Sequence, residues 1–370
     1  MSFPSPPFPP PVPSLRAAAR GATALLAASA LLLAAACGAP APPEPPAASP
    51  SPGATPVERA VVFEDAGDTV HGTFALPDGA QGRIPAALII SGSGPTDRDG
   101  NSPTRPEADT NANFARVLAG AGVASLRYDK LGSGDTGLGS RDGTADIDYA
   151  LFEDQMAAAY AELLAQPEVD PERVAVLGHS EGSLFALRAP QVVPGPPPAA
   201  LILAAPVGAR YLDLLDRQVT EQVRDGESAG ALDTAAANRL LSDTRFAIAR
   251  IRSGDPLPET LSPELAPLFA PANRAFLREI DAMDPVQLGR SLPDSTRVLV
   301  LWGTADSQVT RTEVDRLMTG LPGAERVDLA DADHVFRRYD DSPGAPARDA
   351  ERPFSPDAAP AVEDFLDAVW

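Results

Sequence analysis

The chain has 370 residues, with 30 Lys and Arg against 51 Asp and Glu, and its formal net charge is -21. This excess of negative charge repels nucleic-acid phosphates and anionic lipid head groups, so it argues against nucleic-acid partners. With one cysteine and only three histidines, the chain can build neither an intramolecular disulfide nor a multi-cysteine zinc site. The length suits one large domain with an insertion, or two ordinary domains.

The first 58 residues have the composition of an export signal and a tether. Arg16 and Arg20 precede an apolar run over 24–36 that ends at Cys37, which is the charged, apolar, small-residue order of a secretory signal. The run is too short for a transmembrane span of about 20 residues. The segment 38–58 is rich in Pro, Ala, Ser and Gly, so we interpret it as a semi-extended linker that buries no core.

The end of the apolar run, Ala34-Ala35-Ala36-Cys37, resembles the lipobox of bacterial lipoproteins. The resemblance implies a signal peptide over 1–37, a lipid on Cys37 and a location in the cell envelope, where the lipid anchor is the contact with the membrane. Cleavage after Ala36 by ordinary signal peptidase and an uncleaved anchor are the alternatives. That Cys37 is the only cysteine favours lipidation.

From residue 59 onward, short apolar runs alternate with helical patterns. Two β-branched runs, 60–63 and 69–74, flank a turn signal and predict an opening hairpin. The later apolar runs are typical of strands buried on both faces of a sheet. The alternation predicts a mainly parallel sheet flanked by helices. The predicted buried strands are 86–90, 123–126, 174–177, 200–204 and 298–301, and the predicted helices between them are 113–118, 146–164 and 184–189.

The alternation stops between about residues 208 and 290, where the patterns are amphipathic and helical. The sheet pattern then resumes at Val298. A helical segment between two strands of one sheet is most simply a lid. We therefore predict a core over 59–207 and 291–370 and a helical cap over 208–290, with most apolar cap positions packing and some lining an acyl pocket.

The pattern Gly-x-Ser-x-Gly occurs twice, around Ser180 and around Ser228. A nucleophilic serine in this pattern needs a strand, a sharp turn and then a helix whose N-terminal amides face the reacting oxygen. Ser180 follows the predicted strand 174–177, whereas Ser228 follows a polar helical stretch. We therefore predict Ser180 as the nucleophile, with Gly178 and Gly182 giving the backbone room to turn.

A serine hydroxyl needs an adjacent base, which is almost always a histidine. An elbow turns the side chain of His179 away from its neighbour, and His71 lies in the predicted hairpin, so His334 is the predicted base. The acid that orients the imidazole should follow a strand end. Asp306 lies in the exit loop of the last buried strand and is our prediction, with Asp129 as the alternative.

Other charged residues near these motifs have a structural interpretation. Asp331 and Asp333 lie too close to His334 along the chain to approach its ring favourably, so we expect them to be solvated in the loop. The run 97–99, Asp-Arg-Asp, is expected to hold its own loop together by ion pairs. Direct contact of this run with substrate is the alternative.

The chain order Ser180, Asp306, His334 is that of the α/β-hydrolase superfamily. Residues from about 59 to 370 resemble a bacterial α/β hydrolase with a helical cap, and four segments carry the resemblance. Residues 90–101 resemble the oxyanion loop of small esterases with Gly-Ser-Gly-Pro followed by Asp-Arg-Asp. The other three segments are 126–134, which contains the Arg-Tyr-Asp strand exit; 303–309, which contains the acid; and 333–334, which contains the base.

The resemblance implies an α/β-hydrolase fold, with a mostly parallel central sheet and a helical cap insertion. It also implies a serine carboxylesterase that acts on a small-molecule ester, with the backbone N–H groups of Ser93 and Glu181 as the oxyanion hole. Ser91 stands where many members begin a His-Gly pair. Neither a metal nor an organic cofactor is implied. Two alternatives remain. The same triad can serve a peptidase or a thioesterase, or the chain is a non-catalytic binding protein tethered in the envelope.

Overall fold

The structure is a computed structural model that describes residues 55–141, 147–258 and 260–370. The predicted signal peptide, the predicted lipidation site at Cys37 and most of the linker lie outside the described residues. None of the helices in the described ranges has the length and apolarity that a bilayer span requires.

One eight-stranded sheet is the frame of the described chain. Its strands are β1 (Val57–Asp65), β2 (Asp68–Leu76), β3 (Ile84–Ile90), β4 (Ala124–Tyr128), β5 (Val169–His179), β6 (Ala200–Ala204), β7 (Arg297–Gly303) and β8 (Glu325–Leu329). They lie in the order β1-β2-β4-β3-β5-β6-β7-β8. The hairpin β1-β2 joins β4 antiparallel, and the other six strands are parallel. The predicted mainly parallel sheet is confirmed.

Helices cover both faces of this sheet. They are α1 (Thr110–Gly120), α2 (Tyr149–Ala165), α3 (Gly182–Val192), α4 (Tyr211–Ser228), α5 (Thr234–Ser253), α6 (Arg274–Ala282), α7 (Pro285–Arg290), α8 (Arg311–Met318) and α9 (Ala358–Asp367). Alternate residues of β3 enter different cores: Leu88 and Ile90 pack with α2 and α3, and Ala87 and Ile89 pack with α1 and α9. Because both faces are covered, the central strands are apolar without alternation.

Helices α4 to α7 lie between β6 and β7, within the span 208–290 that we predicted as a cap. The buried apolar residues of α4, α5 and α6 belong to the same hydrophobic cluster as those of α2 and α3. Buried Asp281 accepts hydrogen bonds of 2.6–3.0 Å from the side chains of Arg210 and Arg252 and from Leu212 N, which ties α4, α5 and α6 together. A lid function of these helices stays a prediction.

Parallel strands end at the same edge of a sheet, and this edge collects the segments that the sequence singled out. The loop after β3 contains Ser93, β5 leads into Ser180, β7 leads into Asp306, and the loop after β8 contains His334. Ligand sites of open α/β sheets lie outside these carboxyl ends. The fold thus places the predicted site residues at one edge.

Candidate active site

Ser180 lies in a tight turn between the end of β5 and the start of α3. Its φ is 54°, a left-handed conformation that is costly for a residue other than glycine and is found where function requires it. The Ser180 amide donates to the Ala204 carbonyl at 2.9 Å, which holds the turn against β6. This strand–turn–helix geometry is the one that we expected for the nucleophile.

The two glycines of this turn are required by close backbone contacts. A Cβ on Gly178 would lie 2.2 Å from the Gly182 carbonyl oxygen, and a Cβ on Gly182 would lie 2.4 Å from the Ile90 carbonyl oxygen. Both neighbours are backbone atoms, which cannot rotate away as a side chain can. Glycine therefore lets the start of α3 approach the end of β3, beside the loop that contains Ser93.

The structure brings the three predicted triad residues together. His334 Nε2 lies 3.1 Å from Ser180 Oγ, and His334 Nδ1 lies 2.8 Å from Asp306 Oδ2. Asp306 Oδ1 accepts hydrogen bonds from the amides of Gln308 and Val309, at 2.7 and 3.0 Å. With the carboxylate held in this way, Nδ1–H donates to Asp306 and the lone pair of Nε2 faces the serine hydroxyl.

Asp129 and Ser228, the alternatives for two of these positions, lie in other surroundings. Both oxygens of Asp129 accept backbone N–H groups, from Arg98 at 2.6 Å and from Asp135 at 2.9 Å. Burial raises the pKa of Asp129. Ser228 is exposed at the end of α4. Asp129 thus organises two loops, whereas Asp306 contacts the imidazole.

The loop that carries His334 is held by Asp333. Asp333 Oδ1 accepts the amides of Val335 and Arg337 at 3.1 and 3.0 Å, and Oδ2 accepts from Arg105 and Arg352 at 2.9 and 2.8 Å. Burial opposes ionisation of Asp333, but the two guanidinium groups outweigh it and lower its pKa. The expectation of a solvated Asp333 was wrong, because its partners come from segments distant in sequence. Asp331 is exposed.

His179 supports the backbone of the predicted base. Its Nε2 lies 2.9 Å from the His334 carbonyl oxygen, and the two rings lie 5.0 Å apart. Burial lowers the pKa of His179 to about 3. The neutral ring therefore donates from Nε2–H to the main chain. The sequence suggested only a structural histidine turned away from Ser180, and this contact was missed.

The loop after β3 is fixed by hydrogen bonds around Ser91. The Ser91 hydroxyl donates to the Asp97 carbonyl and accepts from Asn111 Nδ2, both at 2.8 Å. Within the described residues, neither the Ser93 nor the Glu181 amide donates a backbone hydrogen bond. The role of these two amides as an oxyanion hole stays a prediction.

The charged run 97–99 does not pair within itself as expected. Arg98 pairs with Asp135 and lies 3.6 Å from Asp129, and Asp99 accepts from Arg127 at 2.7 Å. These pairs join the loop to β4 and to the segment that follows it. We expected ion pairs within this loop. The charged residues do form ion pairs, but their partners lie outside the run 97–99, at positions distant in sequence. Among the described residues, no three His, Cys, Asp or Glu side chains converge as metal ligands.

A model of the alpha/beta hydrolase family matches residues 103–350. The chain belongs to this family. No curated protein matches the sequence of this hydrolase. Its predicted α/β-hydrolase fold is confirmed, and family membership supports hydrolysis as its reaction class.

Several solved structures share the fold of this hydrolase. Est1E from Butyrivibrio proteoclasticus, with ferulic acid bound, is 17% identical over 84% of this chain and 99% of its own, with a TM-score of 0.50. The Pyrococcus furiosus esterase PF2001 is 16% identical over 85% and 91%, also with a TM-score of 0.50. DcsB in complex with its substrate analogue is 15% identical over 85% and 100%, with a TM-score of 0.51. At such identities the likeness shows the fold alone.

Proposed function

We propose that this protein is a serine hydrolase that cleaves small carboxylic esters through an acyl-enzyme intermediate. One observation carries the proposal: a continuous chain of hydrogen bonds from Ser180 Oγ through the His334 imidazole to Asp306. It lies at a strained turn between a strand and a helix. A binding scaffold without turnover would need neither the strain nor all three residues.

The geometry supports the following sequence of steps. Ser180 Oγ attacks the ester carbonyl carbon while its proton passes to His334 Nε2, and Asp306 stabilises the imidazolium. The tetrahedral oxyanion lies against the N–H groups of Ser93 and Glu181. Return of the proton to the leaving alcohol oxygen breaks the C–O bond and leaves the acyl group on Ser180. Water, deprotonated by His334, then releases the acid and restores the serine.

Labelling with a fluorophosphonate tests the serine chemistry in the purified full-length protein. We expect the wild type and Ser228→Ala to be labelled and Ser180→Ala not to be labelled. Ser228→Ala is the matched control because Ser228 has the same Gly-x-Ser-x-Gly pattern but is exposed in α4. A wild type that never reacts would contradict the proposal and favour the binding-protein alternative.

A panel of matched substrates tests the bond that is cleaved. The triad can act on esters, thioesters and amides that share one acyl group. We propose the ester because of the resemblance of 90–101 to the loop of small esterases, and we expect the highest kcat/KM for the oxygen ester. A higher value for the thioester or for an aminoacyl amide would make the enzyme a thioesterase or a peptidase.

We also propose that the protein is exported and anchored in the cell envelope by a lipid on Cys37. The support is the order of charged, apolar and small residues over 1–37 and the Pro-rich linker over 38–58. We expect the wild type in the membrane fraction and Cys37→Ala in the soluble fraction or unprocessed. A wild type released into the soluble fraction, with its mature N-terminus at Cys37 and no lipid, would indicate ordinary signal peptidase.

A further inference from the structure

A buried ion pair lies beside the proposed oxyanion hole, and the proposed steps use neither of its side chains. Lys130 Nζ lies 3.2 Å from Glu181 Oε1 and donates to the Gly92 carbonyl oxygen at 2.6 Å. Lys130 is 5% exposed and Glu181 is 2% exposed. Burying two opposite charges is expensive unless they are paired and hydrogen-bonded. Such a pair next to the nucleophile therefore calls for an explanation.

Tyr211, the first residue of α4, completes this group. Its hydroxyl donates to Glu181 Oε2 at 2.7 Å. The contacts thus run from Tyr211 through Glu181 and Lys130 to Gly92. We call these four residues the Lys130 cluster. It connects the helices of the predicted cap with both segments that supply the proposed oxyanion donors.

The contact of Lys130 with Gly92 acts on one of these donors directly. The Gly92 carbonyl and the Ser93 N–H belong to the same planar peptide group. A cation that holds the carbonyl oxygen therefore also fixes the direction of the N–H, which lies in the same plane and points the opposite way. It also polarises the peptide and strengthens the N–H as a donor.

The contact of Lys130 with Glu181 acts on the other donor. The Glu181 amide is the second proposed donor, and its side chain is held by Lys130 and Tyr211. An isolated carboxylate at this position would repel the negative charge that develops on the substrate oxygen. The ammonium group of Lys130 offsets that repulsion.

We propose that Lys130, Glu181 and Tyr211 are positioning residues that hold both oxyanion-hole amides in place, with Lys130 neutralising Glu181 beside the developing oxyanion. This inference rests on the proposed serine hydrolase function. In this arrangement the Lys130 cluster stabilises the transition state rather than the bound substrate. It also makes a contact from α4 part of the oxyanion-hole support.

Because the two side chains of the pair carry opposite charges, removing one should affect kcat differently from removing the other. Lys130→Met leaves a buried carboxylate next to the oxyanion, whereas Glu181→Gln leaves a cation that attracts it. We expect kcat to fall about 100-fold in Lys130→Met, as when one oxyanion donor is lost, and to fall less in Glu181→Gln. The double variant Lys130→Met/Glu181→Gln has neither charge, so the repulsive carboxylate is gone. Its kcat should therefore be about 10-fold higher than that of Lys130→Met.

The test measures kcat and KM of the full-length protein with p-nitrophenyl butyrate, together with the melting temperature. We expect KM to change less than about threefold in these variants, because differential binding of the transition state changes kcat. Tyr211→Phe removes only the hydroxyl and should lower kcat about 10-fold. Tyr160→Phe is its matched control, since the buried Tyr160 hydroxyl also makes one hydrogen bond, to the Pro196 carbonyl, in a different part of the fold.

Several outcomes would overturn the positioning role. Equal losses in Lys130→Met and Glu181→Gln, no recovery in the double variant, or an effect confined to KM would each indicate packing alone. If Lys130→Met does not fold, Tyr211→Phe and the double variant decide. Wild-type kcat in Tyr211→Phe and Lys130→Met, with normal fluorophosphonate labelling of the wild type, overturns this inference only. A wild type that reacts with neither the fluorophosphonate nor p-nitrophenyl butyrate overturns the proposed function and this inference together.

Discussion

The buried His179 makes the stability of the protein depend on pH in a way that one substitution can isolate. The folded state holds His179 neutral, with a pKa of about 3 against an ordinary value of 6.5. Between these values the unfolded chain binds a proton that the folded chain does not bind. The free energy of unfolding therefore falls as the pH falls through this window.

The size of the effect follows from the pKa difference. For one such group, each pH unit below 6.5 lowers the free energy of unfolding by about 1.4 kcal/mol. Lowering the pH from 7 to 5 should thus remove about 2 kcal/mol of stability through His179 alone. The variant His179→Gln keeps an N–H donor for the His334 carbonyl but cannot take up a proton, so it should lack this contribution.

Urea unfolding of the wild type and His179→Gln at pH 7 and pH 5 measures the difference. We expect the wild type to lose about 2 kcal/mol more than the variant between the two pH values. Other titrating groups are common to both proteins and cancel in the comparison, and His71→Gln controls for replacing a histidine outside the site. The same loss in the wild type and His179→Gln would refute the reasoning, because His179 would then be protonated equally in both states.

Three further substitutions test the site and its supports. Asp306→Asn should lower kcat about 10⁴-fold by favouring the wrong tautomer of His334; near-normal turnover would move the acid role to Asp129. Gly182→Ala should lose activity and about 1–3 kcal/mol of stability, since its Cβ would meet the Ile90 carbonyl oxygen; a stable, active variant would contradict this. Burial opposes ionisation of Asp349, but the guanidinium groups of Arg105 and Arg352 outweigh it and lower its pKa. Asp349→Asn should therefore cost about 1–2 kcal/mol at pH 7 and less below pH 3.8, measured by urea unfolding.

The sequence predicted the sheet well where burial is complete and less well where it is partial. The run 200–204 became β6 with the same bounds, because all five residues are buried and apolar. Strand β5 begins at Val169, before the predicted run 174–177, and the polar stretch 170–173 between them is only partly buried. Helix α8 was not predicted because it has eight residues and buries little apolar surface, although Thr310 and Glu313 form a capping box.

The triad residues could be proposed from sequence because each has a local signal. Ser180 has a strand before it and a helix after it, Asp306 follows a strand, and His334 is one of only three histidines. His179 and Lys130 have no such signal. The partner of His179 lies 155 positions away and that of Lys130 lies 51 positions away. Their roles depend on which strands are neighbours, and sequence periodicity does not give that order.

The strand order explains why the Lys130 cluster forms where it does. Strand β3 lies between β4 and β5, and Gly92, Lys130 and Glu181 each lie two residues beyond the end of their own strand, β3, β4 and β5 respectively. Residues that leave the two outer strands therefore meet over the end of the central one. An ammonium group from one side and a carboxylate from the other can then pair across the Gly92 carbonyl. The parallel pairing that places Ser180 beside the loop after β3 thus also places the charge pair behind the proposed oxyanion hole.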